Sequence, residues 1–203
     1  GTSHFLGQNF SKASNISFQK PSGEKEFAWM TSWGVTTRLI GGMIMVHGDD
    51  DGMILPPRIA SAQIVIIPLL HRSESKEEIL SFCRQLGKKL KAIPYLGTNL
   101  VVEVDEREIR TGEKVWSWIK KGVPIRVEIG PKELLENYLS IAKRTKGHKD
   151  YESQTEETFL NSVIDQLEEI QQSLFRKAQS FQKAHIKEAT TKEEFYNFFK
   201  SEK

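Results

Sequence analysis

The chain has 203 residues, 38% of them hydrophobic and 28% charged, an ordinary globular composition with room for one large domain or two small ones. One cysteine, Cys83, excludes an intramolecular disulfide framework and a cysteine-rich zinc site, and no apolar run approaches the roughly 20 residues that cross a bilayer. The net charge of +2 is uneven: residues 59–146 carry 16 Lys and Arg against 11 Asp and Glu, whereas residues 1–58 balance 5 against 5 and residues 147–203 carry 8 against 11. The middle third is therefore the part suited to a polyanion.

Composition shifts at Asp49–Pro57 (DDDGMILPP) and at Lys146–Gln154 (KGHKDYESQ) divide the chain into three expected blocks, 1–58, 59–146 and 147–203. The first opens on a loop or strand, Gly1–Phe10, with no charged-then-apolar leader, so the expected compartment is the cytoplasm. Strands are expected at Ile16–Gln19 and Glu26–Thr31 around a turn at Pro21–Ser22–Gly23. Thr37–His47 reads as a helix that buries Leu39, Ile40, Met43, Ile44 and Val46, with Gly41–Gly42 open to the approach of another backbone. The acids Asp49, Asp50 and Asp51 read as a solvated turn, because consecutive carboxylates lack the alternate spacing of a calcium loop.

In the middle block the short β-branched run Gln63–Pro68 reads as a buried strand, followed by an amphipathic helix over Ser75–Leu90 with a Ser75/Glu78 capping box. A strand at Leu100–Val104 precedes a helix over Gly112–Lys121 that Gly122 ends, then strands at Pro124–Ile129 and Tyr138–Arg144. Trp116 and Trp118 lie two apart on that helix and cannot share a face, so one packs on the sheet and the other is exposed or stacks on a ligand. Strands alternating with helices imply an α/β fold with a mixed sheet. The last block holds a long helix, Glu156–His185, whose Leu160, Val163, Ile164, Leu167, Ile170, Leu174, Ala178 and Phe181 recur at three- and four-residue intervals, with Ser153 as the expected cap. A short helix, Lys192–Lys200, follows Thr191 and presents Phe195, Phe198 and Phe199.

Three stretches are more specific: Gly1–Lys12 (GTSHFLGQNFSK), Thr31–Gly52 (TSWGVTTRLIGGMIMVHGDDDG) with Leu55–Arg58 (LPPR), and Lys120–Lys132 (KKGVPIRVEIGPK). Together, in order and spacing, they resemble prolyl-tRNA synthetase of the archaeal and eukaryotic type, a class II aminoacyl-tRNA synthetase. The match runs in register to about residue 135 and more loosely to the end. The resemblance implies a proline–tRNA ligase, which joins ATP and L-proline as prolyl-adenylate and passes the prolyl group to tRNA(Pro). It implies Mg2+ with the ATP, a homodimer for the full-length enzyme and no membrane association. It assigns residues 1–58 to the C-terminal part of an antiparallel-sheet catalytic domain, 59–146 to an anticodon-binding domain and 147–203 to the mainly helical start of a C-terminal domain.

Residue by residue, Arg38 matches the arginine of class II motif 3, which holds the triphosphate at a helix N-terminus; without the family it reads as a surface arginine. Thr36 and Thr37 match positions lining the adenosine and aminoacyl sites, or are strand filling, and Thr2 matches a position near the adenylate. His4, Trp33 and Gly34 match the proline site, where a flat apolar face suits a small saturated ring; the alternatives are a packed histidine and a core tryptophan. Glu103–Lys114 (EVDEREIRTGEK) matches the segment that faces the anticodon, through Asp105, Glu106, Arg107 and Lys114; a solvated charged loop is the alternative. The proline anticodon carries two adjacent guanines, whose O6 and N7 suit Arg or Lys donors.

The chain lacks class II motifs 1 and 2, the Thr-x-Glu proline loop and the four zinc-binding cysteines of the family's C-terminal domain. It is therefore expected to be the C-terminal portion of a longer enzyme, inactive alone, with no zinc site of its own. The alternative is a non-catalytic tRNA-binding or regulatory protein built from synthetase parts.

Overall fold

The computed structural model describes residues 1–70 and 75–200, and the chain divides into two units, Gly1–Met45 and Val46–Lys203. In the first, β1 (Thr2–Gly7) leads through α1 (Asn9–Ala13) to a hairpin of β2 (Ser17–Gln19) and β3 (Lys25–Phe27), which turns at Pro21–Gly23. β4 (Met30–Gly34) then returns antiparallel to β1, with a bulge between Phe5 and Gly7. Phe5 and Trp29 stack at 5.7 Å, and the Gln8 side-chain amide donates to the Phe27 carbonyl at 2.8 Å.

The helix α2 (Arg38–His47) follows and crosses into the second unit. None of its residues is buried, contrary to the sequence expectation: Leu39 and Ile40 are 56% and 59% exposed. Gly41 and Gly42 have open space where a Cβ would stand. A two-stranded ladder has no second layer to set against an apolar helix face.

The second unit is built on a five-stranded mixed sheet in the order β11-β10-β9-β5-β8. The interior strand β5 (Ile64–Pro68) is buried along its whole length, as its continuous apolar run requires. The helix α3 (Lys76–Lys91) and a two-residue-per-strand hairpin, β6 (Pro94–Tyr95) and β7 (Thr98–Asn99), lead to β8 (Val102–Val104), parallel to β5. The chain then crosses by α4 (Thr111–Lys121) to β9 (Ile125–Ile129), parallel to β5 on its other side. α5 (Pro131–Leu135), β10 (Leu139–Lys143) and β11 (Tyr151–Gln154) extend the sheet antiparallel before α6 (Glu156–Ala184) and α7 (Lys192–Lys200).

Alternation along the strands gives the sheet two apolar faces. Ile64, Ile66, Val127 and Ile141 pack with α3 (Ile79, Cys83, Leu86) and with α6 (Phe159, Val163, Leu167, Ile170, Leu174). Val65 and Ile67 pack on the opposite face against Val115 and Trp118 of α4. Trp116, 41% exposed, lies outward against His148 at 5.4 Å, so the two tryptophans divide as their spacing requires.

Both polar junctions differ from the sequence-drawn boundaries. β11 hydrogen-bonds to β10, and the first half of α6 lies in the same core, so residues 147–174 belong with the sheet and are not a separate block. Residues 46–58 likewise belong to the second unit. Met53 N–H donates to the Lys120 carbonyl and Leu55 N–H to the Gly122 carbonyl, each at 3.1 Å, fastening this segment to the end of α4. Asp49 closes the acidic turn by accepting from the Gly52 N–H at 3.1 Å and takes both terminal nitrogens of Arg144. At the start of α6 the cap is Thr155, whose Oγ1 accepts from Thr158 N–H at 3.2 Å; Ser153, the expected cap, is inside β11. At α7 the Thr191/Glu194 capping box forms in both directions.

Candidate functional site

In an open α/β sheet, ligands bind beyond the carboxyl ends of neighbouring strands whose following helices leave to opposite faces. β5 and β8 are such a pair, because α3 covers one face and α4 the other. A groove of about 910 Å³ lies at that point. Pro68 at the end of β5, Leu70 after it, the first half of α3, and the stretch from Glu106 to the start of α4 at Thr111 form its walls. Its charged lining is Lys76, Arg84, Arg107, Arg110 and Lys114 against Glu77, Glu106 and Glu108, a modest cationic excess.

The loop that enters α4 is organised by Asp105, which is 4% exposed. Its carboxylate accepts from Arg107 Nε at 2.8 Å and Nη2 at 2.6 Å, from the Arg107 backbone N–H at 3.2 Å, and from Trp118 Nε1 at 2.7 Å. Burial works to raise the Asp105 carboxyl, but the hydrogen bonds from Arg107 and Trp118 outweigh it and bring the group to about 2. Lys114, 3% exposed, turns inward and donates from Nζ to the Asp105 carbonyl at 3.0 Å. Arg107 keeps 45% of its side chain exposed and also donates from Nη2 to Ser117 Oγ at 2.8 Å. Glu106 pairs side by side with Arg84 Nε and Nη2 at 2.8 and 2.6 Å, which holds its carboxyl below the usual range.

The four anticodon-facing residues expected from sequence are thus brought together, in different attitudes. Arg107 and Glu106 stand at the groove surface, Lys114 borders the groove with its ammonium turned inward, and Asp105 lies behind it; the last two secure the loop. Trp118 and Ser117 were not singled out for this place. The signal available was spacing: 114, 117 and 118 are i, i+3 and i+4, one face of a helix. Lys121, whose ammonium sits 4.2 Å over the Trp118 ring, covers the outer side of that indole.

In the first unit the β1–β4 register sets the expected residues by period two. Thr2 lies opposite Gly34 and His4 opposite Ser32, so Thr2, His4 and Gly34 share one face of the ladder. Trp33 lies opposite Ser3, on the other face, and is 81% exposed. The ladder sets Trp33 and His4 on opposite faces, while Trp33 and Gly34 border one open pocket together with Thr2, and Trp33 is not a core residue. Arg38 is the first residue of α2. The Thr36 and Thr37 carbonyls accept the Leu39 and Ile40 N–H groups at 3.1 and 3.0 Å, which fixes both threonines in the turn that opens the helix.

Comparison with known proteins agrees with this geometry. The chain is 44% identical over 199 residues to the proline–tRNA ligase of Bdellovibrio bacteriovorus, an alignment that covers 98% of this chain and 40% of that protein. It is 44% identical over 199 residues to proline–tRNA ligase 2 of Anaeromyxobacter dehalogenans, with 98% and 39% covered. To the proline–tRNA ligase of Akkermansia muciniphila it is 43% identical over 202 residues, with 100% and 40% covered. The chain thus spans about two-fifths of the length of the curated relatives it matches. Residues 63–170, which contain the sheet, the groove and the first half of α6, match the model of the anticodon binding domain, and the chain belongs to that family.

Proposed function

We propose that this chain carries the anticodon-reading groove and the motif 3 segment of a proline–tRNA ligase. That enzyme would act in the cytoplasm as a homodimer, coupling L-proline to ATP as prolyl-adenylate and transferring it to tRNA(Pro). The observation that supports the reading best is the groove at the carboxyl ends of β5 and β8, inside the stretch that matches an anticodon binding domain. Single-stranded RNA is read by donors and acceptors aimed at the edges of unstacked bases, and its phosphates by basic side chains. The outer Nη1 amino group of the half-exposed Arg107, which Asp105 and Ser117 do not engage, suits guanine O6 or N7, Glu106 supplies an acceptor, and Lys76 and Arg110 suit the phosphates. Asp105 and Lys114 support that surface from behind.

In the first unit, Arg38 and the opening turn of α2 gather positive charge suited to a triphosphate. Thr2, Thr36 and Thr37 would border the adenosine, His4 and Gly34 the proline, and Trp33 would take part from the other face of the ladder. Among the described residues no group of three or more His, Cys, Asp or Glu is placed to hold a metal ion. Mg2+ would enter with the triphosphate of the ATP.

The test uses a ligase of the relatives' full length that contains this segment. Arg38→Ala is expected to lower proline-dependent ATP–pyrophosphate exchange by at least about a hundredfold, the scale of losing a fixed charge on a transferring phosphate. Near-normal exchange would refute the assignment of Arg38 to motif 3, and no exchange in the unaltered full-length protein would leave a tRNA-binding protein without the ligase chemistry.

A further inference from the structure

We propose that Trp118 and Ser117 are positioning residues for base reading. With Asp105 and Lys114 they form a latch from one face of α4 that fixes the plane and reach of the Arg107 guanidinium. The inference rests on the reading of the groove as an anticodon site.

Arg107 is carried on an irregular stretch between β8 and α4, and a free arginine side chain has about 2 kcal/mol of rotamer entropy to lose on binding a base. Here two of its nitrogens are already committed. Nε and Nη2 both donate to the Asp105 carboxylate, which fixes the guanidinium plane, and Nη2 donates also to Ser117 Oγ. The Asp105 carboxylate is in turn fixed by the Trp118 indole N–H, and its backbone carbonyl by the Lys114 ammonium. Lys114, Ser117 and Trp118 stand at i, i+3 and i+4, so one helix face makes three grips on the loop. Ser117 Oγ also donates to the Lys114 carbonyl at 2.8 Å, which leaves its acceptor side toward Arg107.

The latch is rooted in the sheet. The Trp118 ring packs with Val65 and Ile67 of β5, so the orientation of Asp105 is referred to the centre of the fold and not to the surface loop. Asp105 and Arg107 cancel in charge, and Lys114 leaves the latch net positive beneath a groove meant for an anion. Pre-setting a side chain in its bound geometry improves selection by lowering the ordering cost for the matching base.

The latch predicts a loss of selectivity that a general loss of stability would not produce. The 203-residue chain is titrated with two anticodon stem–loop RNAs, one with the two guanines of the proline anticodon and one with both replaced by cytosine, and the ratio of dissociation constants is read. Arg107→Ala is expected to bring that ratio close to one. Trp118→Phe, which keeps an aromatic ring against Val65 and Ile67 and removes the N–H, is expected to lower the ratio about tenfold, the scale of one hydrogen bond to a charged group. Ser117→Ala is expected to lower it about threefold. A merely structural role would weaken both RNAs together and leave the ratio unmoved.

If Arg107→Ala removes the discrimination while Trp118→Phe and Ser117→Ala retain it, the latch is overturned and the groove reading stands. If the unaltered chain shows no preference for the guanine-bearing RNA, the groove reading itself fails, and the latch with it. Should Trp118→Phe lose its circular-dichroism signature of folding, the ratio for Ser117→Ala decides the matter by the same criterion.

Discussion

Trp33, Val35 and Met45 in the first unit are 81%, 74% and 83% exposed, whereas Ile64, Phe159 and Val163 in the second have no exposed surface at all. Both units are rich in apolar side chains, and the difference lies in what each can set against them. Residues 1–45 hold two two-stranded ladders, and their single buried residue is Ser11. Residues 46–203 hold a five-stranded sheet with a helix layer on each face. An apolar residue stabilises a fold only when a second layer removes it from water.

The contrast can be broken most directly by truncation. Phe159→Ala should destabilise the second unit by about 3–5 kcal/mol in urea unfolding followed by circular dichroism, the cost of a cavity in a closed core. A loss under about 1 kcal/mol would show that the α6 face is not part of that core. Next in size is Gly122→Ala. Gly122 has φ +73°, and a Cβ there would stand 2.5 Å from the Met53 carbonyl oxygen. Left-handed strain and backbone collision should together cost about 3 kcal/mol and loosen the 53–55 segment from the end of α4.

The Asp105 carboxyl sharpens the comparison by pH. Its folded value of about 2 lies below the ordinary 3.8, so its contribution is complete above about pH 4 and lost as the pH falls toward 2. The shift corresponds to about 2 kcal/mol. Asp105→Asn should flatten that part of the acid-unfolding curve, which urea midpoints at stepped pH would register. The smallest effect belongs to the first unit: Trp33→Ala should change stability by no more than about 0.5 kcal/mol, as for other exposed positions. A larger loss would mean that the indole has a packing partner.

Long periodic elements were legible in the sequence. The apolar spacing of Leu167, Ile170 and Leu174 placed α6, and the continuous run Gln63–Pro68 placed β5 to within one residue. The brief elements β6, β7, α5 and β11 were not, because two to five residues carry no resolvable period. Ser153 and Thr155 are both acceptable caps, and only the pairing of β11 with β10 decides between them. The site followed the same division. The resemblance pointed to Arg107 and Lys114, but the direction of a lysine side chain is set by what lies beneath the loop, and here that is the Asp105 carbonyl. The separation of Trp33 from His4 required the β1–β4 register, which the turn chemistry of a 22-residue connection does not specify.

The uneven burial of α6 has a consequence for its motion. Core residues occur along the helix as far as Leu174, while the helix itself continues to Ala184 and shows Phe175 and Phe181 to solvent at 57% and 65%. Ten residues with no buried side chain fall short of the roughly 12–15 that an isolated helix needs in water. Amide protection along this one rod should therefore be graded, from the global value near Val163 to rapid exchange near Lys183, so that fraying travels inward from the far end and halts at Leu174.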